Sequence, residues 1–372
     1  MRTGRGSGKL DASGARLLHG SYGHPASTAL TRNTGHFSFS PRPSSDHLPL
    51  RPGCEPPARM TGARHFGQHT SPTSRGVRMR IRPVATALAG AFLGLSAVVL
   101  PGTPAQAAAN GHRTVAVAHR GAPTHAPENT LASIDAARRL GDLWVENDVQ
   151  RTKDGELVIL HDNSLARTTD VEQVFPDRKP WNVKDFTLDE IEKLDAGSWF
   201  SPEFEGERVP TLEEYMDEVE ENGQRLLLEL KSPELYPGIE LQTLTELRRD
   251  GWLDRSHVKR RLIVQSFNAD AVRTVHALRP DVKTGFLGTP AVADLPTYAE
   301  FCDQINPNYT TVTPGYVEAV HGLKGPHDRR LQLYTWTVDD GAKAVSLARM
   351  GADGIISNKA DEIRDALETS GG

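Results

Sequence analysis

Cysteine is nearly absent from this chain of 372 residues, which contains only Cys54 and Cys302. The two cysteines lie in segments of very different composition, so the sequence offers no framework of internal disulfide bonds. A metal site built from cysteine thiolates is excluded for the same reason. We therefore expect Cys302 to be a buried apolar thiol.

Apolar residues are scarce in residues 1–74, which are rich in Arg, Gly, Ser, Pro and His and show no helix or strand periodicity. Such a composition cannot bury a core and is typical of disorder. We interpret residues 1–78 as a disordered extension that is not native to the protein, because a signal peptide normally starts a chain and the next segment has that pattern. The physiological start would then be Met79 or the nearby Val77.

Residues 79–107 have the three parts of a secretory signal peptide. Two arginines precede an apolar run at 84–100, and Ala105-Gln106-Ala107 provides a small-residue exit. The apolar run is short for a membrane-spanning helix and ends in Pro-Gly. We expect cleavage after Ala107 and secretion of residues 108–372. The alternative is a basic tail on a membrane-anchored protein, which N-terminal sequencing of the natural product would distinguish.

Positive charge is in the minority in residues 108–372. The chain has 43 Lys+Arg and 48 Asp+Glu, of which the first 107 residues contain 13 and 3, so the remainder contains 30 and 45 and has a net charge of −15. A strongly acidic domain is poorly suited to nucleic acid or to anionic membranes. We expect no nucleic-acid partner and no stable membrane insertion after processing, and we assign no oligomeric state.

Strand-like apolar runs alternate with helix-like segments through residues 108–372, which predicts a parallel sheet. The nine runs lie at 114–119, 143–149, 157–161, 225–230, 262–267, 283–287, 304–310, 331–338 and 354–357. The third run follows the second too closely for a parallel crossover, and Asp154-Gly155 between them is typical of a hairpin turn. The other eight runs predict an α/β fold, a (β/α)8 TIM barrel.

The hairpin after the second barrel strand returns its arm beside that strand, which places His161 opposite Glu146 and Asp148. No barrel strand occurs in residues 162–210, before the third barrel strand. Long connections at this face of a barrel are usually functional. We interpret this insertion as a cap or wall over the site. An insertion that only shields the barrel rim is the alternative.

Carboxylates occur where the predicted strands end, at the barrel face that carries active sites. Glu146 and Asp148 are two residues apart and so share one face of a strand, and Glu229 ends the next barrel strand. Carboxylates on one face repel each other unless a cation lies between them. Three of them can bind a hard divalent cation. The alternative is a set of rim carboxylates paired with Arg or Lys.

His119 and His161 each end an apolar run beside a charged residue, and they are candidates for a general acid and a general base. Arg120 and Lys231 can bind an anionic oxygen, with salt bridges to the acidic rim as the alternative. Together with the carboxylates, these residues suggest metal-assisted cleavage of a phosphodiester.

Several neighbouring positions are ambiguous. Trp336, near a strand end, can pack against the carbon backbone of a substrate or fill the barrel mouth. Phe267 and Trp199 pose the same choice, and we expect both to pack. Glu128 is expected in the first turn of a helix, and Asn129 can also reach the site.

The ordered set of motifs resembles bacterial glycerophosphodiester phosphodiesterases. The matching pieces run across nearly all of residues 108–372 and are Ala118-His119-Arg120-Gly121, Pro127-Glu128-Asn129-Thr130, Glu146-Asn147-Asp148-Val149, Thr152-Lys153-Asp154-Gly155, Leu160-His161-Asp162, Arg167-Thr168-Thr169, Asp195-Ala196-Gly197-Ser198-Trp199-Phe200, Glu229-Leu230-Lys231, Ser266-Phe267 and Thr335-Trp336-Thr337-Val338. The resemblance implies a TIM barrel that hydrolyses small-molecule glycerophosphodiesters to sn-glycerol 3-phosphate and an alcohol. The nucleophile is water or the neighbouring hydroxyl of the glycerol.

The resemblance also implies roles for the candidate residues. It implies one Ca²⁺ or Mg²⁺ bound by three carboxylates, those of Glu146, Asp148 and Glu229. It implies that His119 and His161 form the acid–base pair. It also implies that the substrate and its phosphate are bound by Arg120, Lys231 and Trp336. One departure concerns the last strand, which usually ends in Thr-Asp in this family and here ends in Ser357-Asn358.

Two other functions are compatible with parts of this pattern. A phospholipase-type phosphodiesterase acting on intact lipid needs an apolar ridge or a basic face for membrane docking, and residues 108–372 contain no such stretch. A non-catalytic barrel that only binds its ligand usually lacks one or more key groups, whereas all of them are present in this sequence.

Overall fold

The computed structural model of the protein describes residues 113–371. The extension predicted at 1–78 and the signal peptide predicted at 79–107 lie outside these residues. Within the described range, no helix combines the length and the apolar character needed to cross a membrane. Cys302 is fully buried, as expected from the sequence.

Nine strands of residues 113–371 form one sheet. They are β1 Val115–Ala118, β2 Trp144–Arg151, β3 Leu157–Ile159, β4 Arg225–Leu230, β5 Leu262–Ser266, β6 Lys283–Leu287, β7 Gln304–Asn306, β8 Gln332–Thr335 and β9 Gly354–Ser357. Eight of them are parallel neighbours in the order β1, β9, β8, β7, β6, β5, β4, β2, and the pairing of β1 with β2 closes the ring. The predicted (β/α)8 TIM barrel is therefore confirmed.

The remaining strand, β3, is the antiparallel hairpin arm that the sequence predicts. Val149 lies opposite Ile159 in the β2–β3 ladder, and the backbone N–H of Leu160 donates to the Asp148 carbonyl over 2.9 Å. Gly155 in the turn has φ of 103°, a conformation that favours glycine. This register brings His161, the residue after Leu160, to the level of the β2 carboxylates.

Eleven α-helices accompany the strands in the described residues. They are α1 Leu131–Leu140, α2 Val171–Val174, α3 Leu188–Ile191, α4 Leu212–Glu221, α5 Ile239–Arg249, α6 Arg255–Arg260, α7 Ala269–Leu278, α8 Leu295–Ala299, α9 Pro314–His321, α10 Gly341–Met350 and α11 Ala360–Thr369. Local chemistry sets their ends: Thr211 and Glu214 form a capping box at the start of α4, and Gly141 ends α1 in the left-handed region.

Apolar side chains fill both the inside of the barrel and the layer between barrel and helices. The interior cluster consists of Val117, Trp144, Leu227, Ile263, Tyr334 and Ile356, with Val115 and Trp336 packed against it. Burying each large apolar side chain contributes about 1.5–3 kcal/mol. This packing fixes the strand ends, so the side chains that follow them have a rigid support.

The insertion at 162–210 has a hydrophobic core of its own. Trp181, Phe186 and Ile191 are among its buried residues, and they pack with Leu160 from the hairpin arm. The segment contains α2 and α3 and is anchored beside the barrel mouth by this contact. One of its side chains, Arg167, pairs with Glu128 in the loop after β1.

Two predicted strands are shorter than their apolar runs. The run at 304–310 is a strand only over Gln304–Asn306, because Pro307 has no backbone N–H to continue the ladder. A 3₁₀ turn follows at Tyr309–Thr311. The run at 331–338 is a strand only over Gln332–Thr335.

Candidate active site

The C-terminal ends of the barrel strands surround a cavity of about 140 Å³. Seven of the eight predicted site residues line it, namely His119, Arg120, Glu146, His161, Glu229, Lys231 and Trp336. The eighth, Asp148, is buried and in contact with Arg120 and Lys231. A larger cavity, of about 780 Å³, includes the first residues of β6 and β8 in its lining but none of these eight, so it lies at the opposite end of the barrel.

Parallel strand pairing brings the three carboxylates together. Asp148 on β2 is the direct neighbour of Glu229 on β4, and Glu146 precedes Asp148 on the same face. Their carboxylate oxygens lie within 4.8 Å of one another, and all three side chains are buried. The predicted cluster is thus formed in the structure.

The electrostatics of this cluster fit a bound cation. Burial and the neighbouring charge of Asp148 raise the pKa of Glu229 to about 8, and burial with Asp148 and Glu229 raises the pKa of Glu146 well above its ordinary value. Burial would also raise the pKa of Asp148, but Lys231 and Arg120 hold it below its usual range. Three hard oxygen donors that repel one another could hold a hard divalent cation.

Asn129 supplies a further oxygen beside the carboxylates. Its side-chain amide nitrogen donates to Asp148 over 2.9 Å. Its Oδ1 is buried and has no hydrogen-bond partner among residues 113–371. The expectation that Asn129 reaches the site is confirmed, and its amide oxygen adds to the set of hard donors.

The two predicted basic residues both contact the carboxylates. Lys231 Nζ lies 3.0 Å from Glu229 Oε1 and 3.4 Å from Asp148 Oδ1. The Arg120 guanidinium lies 3.4 Å from Asp148 and 2.9 Å from Glu128. The salt bridges named as the alternative role are therefore present, and both side chains also face the cavity.

The backbone at Arg120 is held in an uncommon conformation. Its φ of 57° lies in the left-handed region, which costs a non-glycine residue about 1 kcal/mol. In this conformation the Arg120 backbone N–H donates to Glu146 Oε2 over 3.0 Å. Gly121 follows with φ of 86°, and a Cβ there would lie 2.4 Å from Ser133 Oγ. The turn therefore requires glycine, and it links the end of β1 to the carboxylate cluster.

His119 leads this turn and faces the cavity. Its desolvation at the barrel mouth, together with the charge of Arg120, lowers its pKa to about 4. Its Nδ1 lies 2.8 Å from Asn358 Oδ1. Near neutral pH the ring is uncharged, which suits a proton acceptor.

His161 has a different environment. Its Nδ1 lies 2.7 Å from the carboxylate of Asp162. Desolvation, together with the charges of Arg120 and Lys231, lowers the pKa of His161. The charge of Asp148 and the hydrogen bond to Asp162 act against that shift. A carboxylate partner stabilises the protonated ring, which suits a proton donor.

An ion-pair network that the sequence reasoning missed lies behind His161. Arg167 donates to both oxygens of Asp162 and to both oxygens of Glu128, over 2.6–3.1 Å. These hydrogen bonds hold the pKa of Asp162 well below its usual range and raise that of Arg167. The network joins the insertion to the loop after β1 and fixes the partner of His161.

The prediction that Glu128 belongs to the first turn of a helix is wrong. Helix α1 begins at Leu131, with Thr130 as its N-cap. Glu128 lies before the cap and bridges Arg120 and Arg167. The Pro-Glu-Asn-Thr motif around Glu128 could have indicated a role near the site, but a helix start explained the same motif equally well.

Aromatic side chains form one side of the cavity mouth. Trp336 donates from Nε1 to the Asn306 carbonyl over 2.7 Å, and its ring meets Phe267 edge-on at 5.3 Å. Phe267 lines the cavity and is 49% exposed. Trp199 is 40% exposed and packs edge-on against Phe200 at 5.8 Å. The Phe267–Trp336 pair offers an apolar surface beside Lys231.

A protein-family model matches this chain over residues 119–362, which is more than half of its length. The family is described as the glycerophosphoryl diester phosphodiesterase family. The match begins at His119 and includes all eight predicted site residues.

Known proteins resemble the chain over the same region. A glycerophosphodiester phosphodiesterase of Caldanaerobacter subterraneus subsp. tengcongensis is 34% identical over 262 residues, which cover 70% of this chain and 100% of that protein. One of Bacillus subtilis is 33% identical over 283 residues, covering 70% and 90%. A solved phosphodiesterase of Oleispira antarctica, in complex with the product sn-glycerol-3-phosphate, is 29% identical with a TM-score of 0.56, covering 69% of this chain and 97% of that one.

Proposed function

Because the chain belongs to the glycerophosphoryl diester phosphodiesterase family and is an enzyme of that class, we propose a specific reaction. The enzyme hydrolyses glycerophosphodiesters to sn-glycerol 3-phosphate and an alcohol, with one divalent cation and two histidines. The observation that carries the proposal is the convergence of three buried carboxylates, two histidines and two basic side chains on one cavity.

Glu146, Asp148 and Glu229 would bind the cation, either Ca²⁺ or Mg²⁺. When bound, it polarises a phosphoryl oxygen and offsets the negative charge that develops there. The protein contributes the placement of the donors, since β2 and β4 are packed strands of the barrel and the Arg120 backbone N–H orients Glu146.

Arg120 and Lys231 would bind the phosphate. Both are held at the cavity by the carboxylates, and both can contact an anionic oxygen without a large movement. Trp336 and Phe267 would pack against the carbon atoms of the substrate, because their rings form the apolar side of the cavity mouth.

The two histidines would have different roles. His119, whose Nδ1 meets a neutral amide, takes the proton from the nucleophile as general base. His161, whose Nδ1 meets a carboxylate held by Arg167, gives a proton to the leaving alcohol as general acid. The assignment is supported by the charge of each ring's partner, since a carboxylate stabilises imidazolium more than an amide does.

The identity of the products tests the reaction itself. Glycerophosphocholine should yield sn-glycerol 3-phosphate and choline, because the proposed family reaction breaks the bond to the alcohol. Mass spectrometry of the products from the full chain, with Ca²⁺ or Mg²⁺ present, distinguishes these from glycerol and phosphocholine. Formation of phosphocholine, or faster cleavage of intact phospholipid than of glycerophosphocholine, would replace this proposal with the lipase-type alternative.

Cation affinity should rise with pH. Burial raises the pKa of Glu229 to about 8 and also raises the pKa of Glu146, so the cation-free protein keeps a proton on Glu229 as pH rises from about 4.5 towards 8. The folded state then holds more protons than the unfolded state, so its stability falls with rising pH through this window. A cation must displace these protons. We expect the apparent Kd for Mg²⁺ or Ca²⁺ to fall by about tenfold or more between pH 6 and pH 8.5, because each displaced proton lowers Kd up to about tenfold per pH unit while the pH is below the pKa of that carboxyl.

Isothermal titration in two buffers of different ionisation enthalpy measures both the affinity and the proton release. The variant Glu229→Gln is the matched control, because it removes one titrating ligand and should reduce the affinity and its pH dependence together. An affinity that stays constant or weakens from pH 6 to pH 8.5 in the parent protein would contradict the account.

A further inference from the structure

A chain of hydrogen bonds behind His119 uses residues that the proposed mechanism does not. His119 Nδ1 lies 2.8 Å from Asn358 Oδ1, and Asn358 Nδ2 donates to Asp339 Oδ2 over 2.8 Å. Asp339 Oδ1 accepts from the backbone N–H of Asn358 over 2.8 Å and from the Ser357 hydroxyl over 3.0 Å. Asp339 lies in the loop after β8, and Asn358 directly follows β9.

The direction of each hydrogen bond in this chain follows from one fixed donor. A backbone N–H can only donate, and an ionised carboxylate can only accept. Asp339 therefore receives the Asn358 side-chain NH₂, which leaves Asn358 Oδ1 as the atom that faces His119. Because that oxygen is an acceptor, His119 Nδ1 must carry the proton.

We propose that Asp339 and Asn358 are positioning residues that fix the tautomer of His119, so that Nε2 of the neutral ring is the atom that accepts the proton in the reaction. The inference rests on the proposed function for its catalytic meaning. The tautomer itself follows from the hydrogen-bond geometry alone.

This arrangement differs from the one around His161. The ring of His161 contacts a carboxylate directly, whereas an amide separates His119 from its carboxylate. The negative charge is therefore one side chain further from the ring, and it orients His119 while stabilising the imidazolium less. Asp339 is exposed, so its three hydrogen bonds rather than its burial hold it in place.

Substituting either residue alone should spoil the orientation. In Asp339→Asn, the single side-chain oxygen of the new residue must accept from the backbone N–H of Asn358. The NH₂ group of the new residue then points to the side chain of Asn358. Asn358 then turns its own NH₂ towards His119 and selects the wrong tautomer. In Asn358→Asp, the hydrogen bond from Asn358 Nδ2 to Asp339 is replaced by a contact between two carboxylates. Their repulsion displaces the new side chain.

The double variant Asp339→Asn with Asn358→Asp should repair both faults. Asn at 339 can accept from the backbone N–H and the Ser357 hydroxyl and donate its NH₂ to Asp at 358, whose second oxygen accepts from His119 Nδ1. We expect each single variant to lower kcat by at least about 10-fold with KM within about 3-fold, below the roughly 10⁴-fold that a wrong tautomer costs a buried catalytic triad. The double variant should recover kcat to within about 3-fold of the parent, a strong non-additivity.

Asp340→Asn is the matched control. Asp340 is the next carboxylate in the chain and caps α10 by accepting from the Lys343 N–H over 2.7 Å, a role that Asn fills equally well. Its kcat should equal that of the parent. Single variants with parental kcat, or a double variant as slow as the worse single variant, would overturn the proposal.

Nitrogen-15 NMR of the histidine rings tests the tautomer without any substrate. We expect the His119 signal, assigned by its loss in His119→Gln, to report Nδ1–H in the parent and in the double variant, and Nε2–H in Asp339→Asn. A parent ring in the Nε2–H form, or no change in Asp339→Asn, would contradict the inference. Because this readout needs no turnover, it separates a failure of the inference from a failure of the proposed function, in which the parent itself would hydrolyse no glycerophosphodiester.

Discussion

The variant His161→Ala should lose about 10³-fold in kcat on glycerophosphocholine but less than about 10-fold on a glycerophosphodiester whose alcohol is p-nitrophenol. The reason is that choline must be protonated as it leaves, whereas p-nitrophenolate leaves as a stable anion and needs no general acid. A 10³-fold loss corresponds to about 4 kcal/mol of transition-state stabilisation. His119→Ala should instead lose about 10³-fold on both substrates, because the nucleophile must be deprotonated in either case.

Steady-state kinetics of the two variants on the two substrates measure this difference. His276→Ala on α7 is the control for loss of a histidine outside the site, and its kcat should be parental on both substrates. The reverse pattern, with the activated substrate rescuing His119→Ala and not His161→Ala, would exchange the two roles. Equal losses for both variants on both substrates would contradict the separation of roles.

Removing one carboxylate of the cation cluster should have an effect of similar size. The variant Glu146→Gln keeps the shape of the side chain but removes a charged oxygen from the set of Glu146, Asp148 and Glu229. We expect kcat/KM to fall by about 10³-fold or more at micromolar cation, because binding and polarisation of the phosphate both depend on the cluster. Part of the loss should return at high millimolar Ca²⁺ or Mg²⁺.

Asp142→Asn provides the control for loss of a buried, paired carboxylate. Asp142 lies just before β2, at the other end from the cluster, and it pairs with Arg364 over 3.0 Å. Its kcat/KM should stay parental. If the activity of Glu146→Gln matches that of the parent at every cation concentration, the carboxylate cluster does not bind a catalytic cation.

The fold could be predicted from the sequence because its signals are local. Eight buried parallel strands appear as short apolar runs, and the hairpin follows from a link too short for a crossover with Asp154-Gly155 as its turn. The errors concern ends, such as Pro307, where the ladder stops although the apolar run continues. Five helices of the described residues, α2, α3, α6, α8 and α9, have at most eight residues each, and helices this short leave little periodic pattern.

The candidate site was predictable wherever a functional residue lies in the C-terminal half of a strand or directly follows it. His119, Asp148 and Glu229 belong to this group, and parallel pairing brings such residues together in any barrel. The network of Glu128, Asp162 and Arg167 depends instead on how the insertion packs on the mouth. No spacing in the sequence encodes that contact.

Asn358 illustrates the same limit from another side. The role of its side chain required the positions of His119 and Asp339, which belong to other loops of the chain. The direction of the hydrogen bonds could be deduced only when all three side chains were in place.

The most direct measurement is the release of sn-glycerol 3-phosphate from glycerophosphocholine by the full chain, first with chelator and then with Ca²⁺ or Mg²⁺ restored. The account predicts that release stops with chelator, returns with at least one of the two cations, and does not return in Glu146→Gln at the same cation concentration. Release that continues undiminished in excess chelator would contradict the cation-dependent site on which the proposed reaction depends.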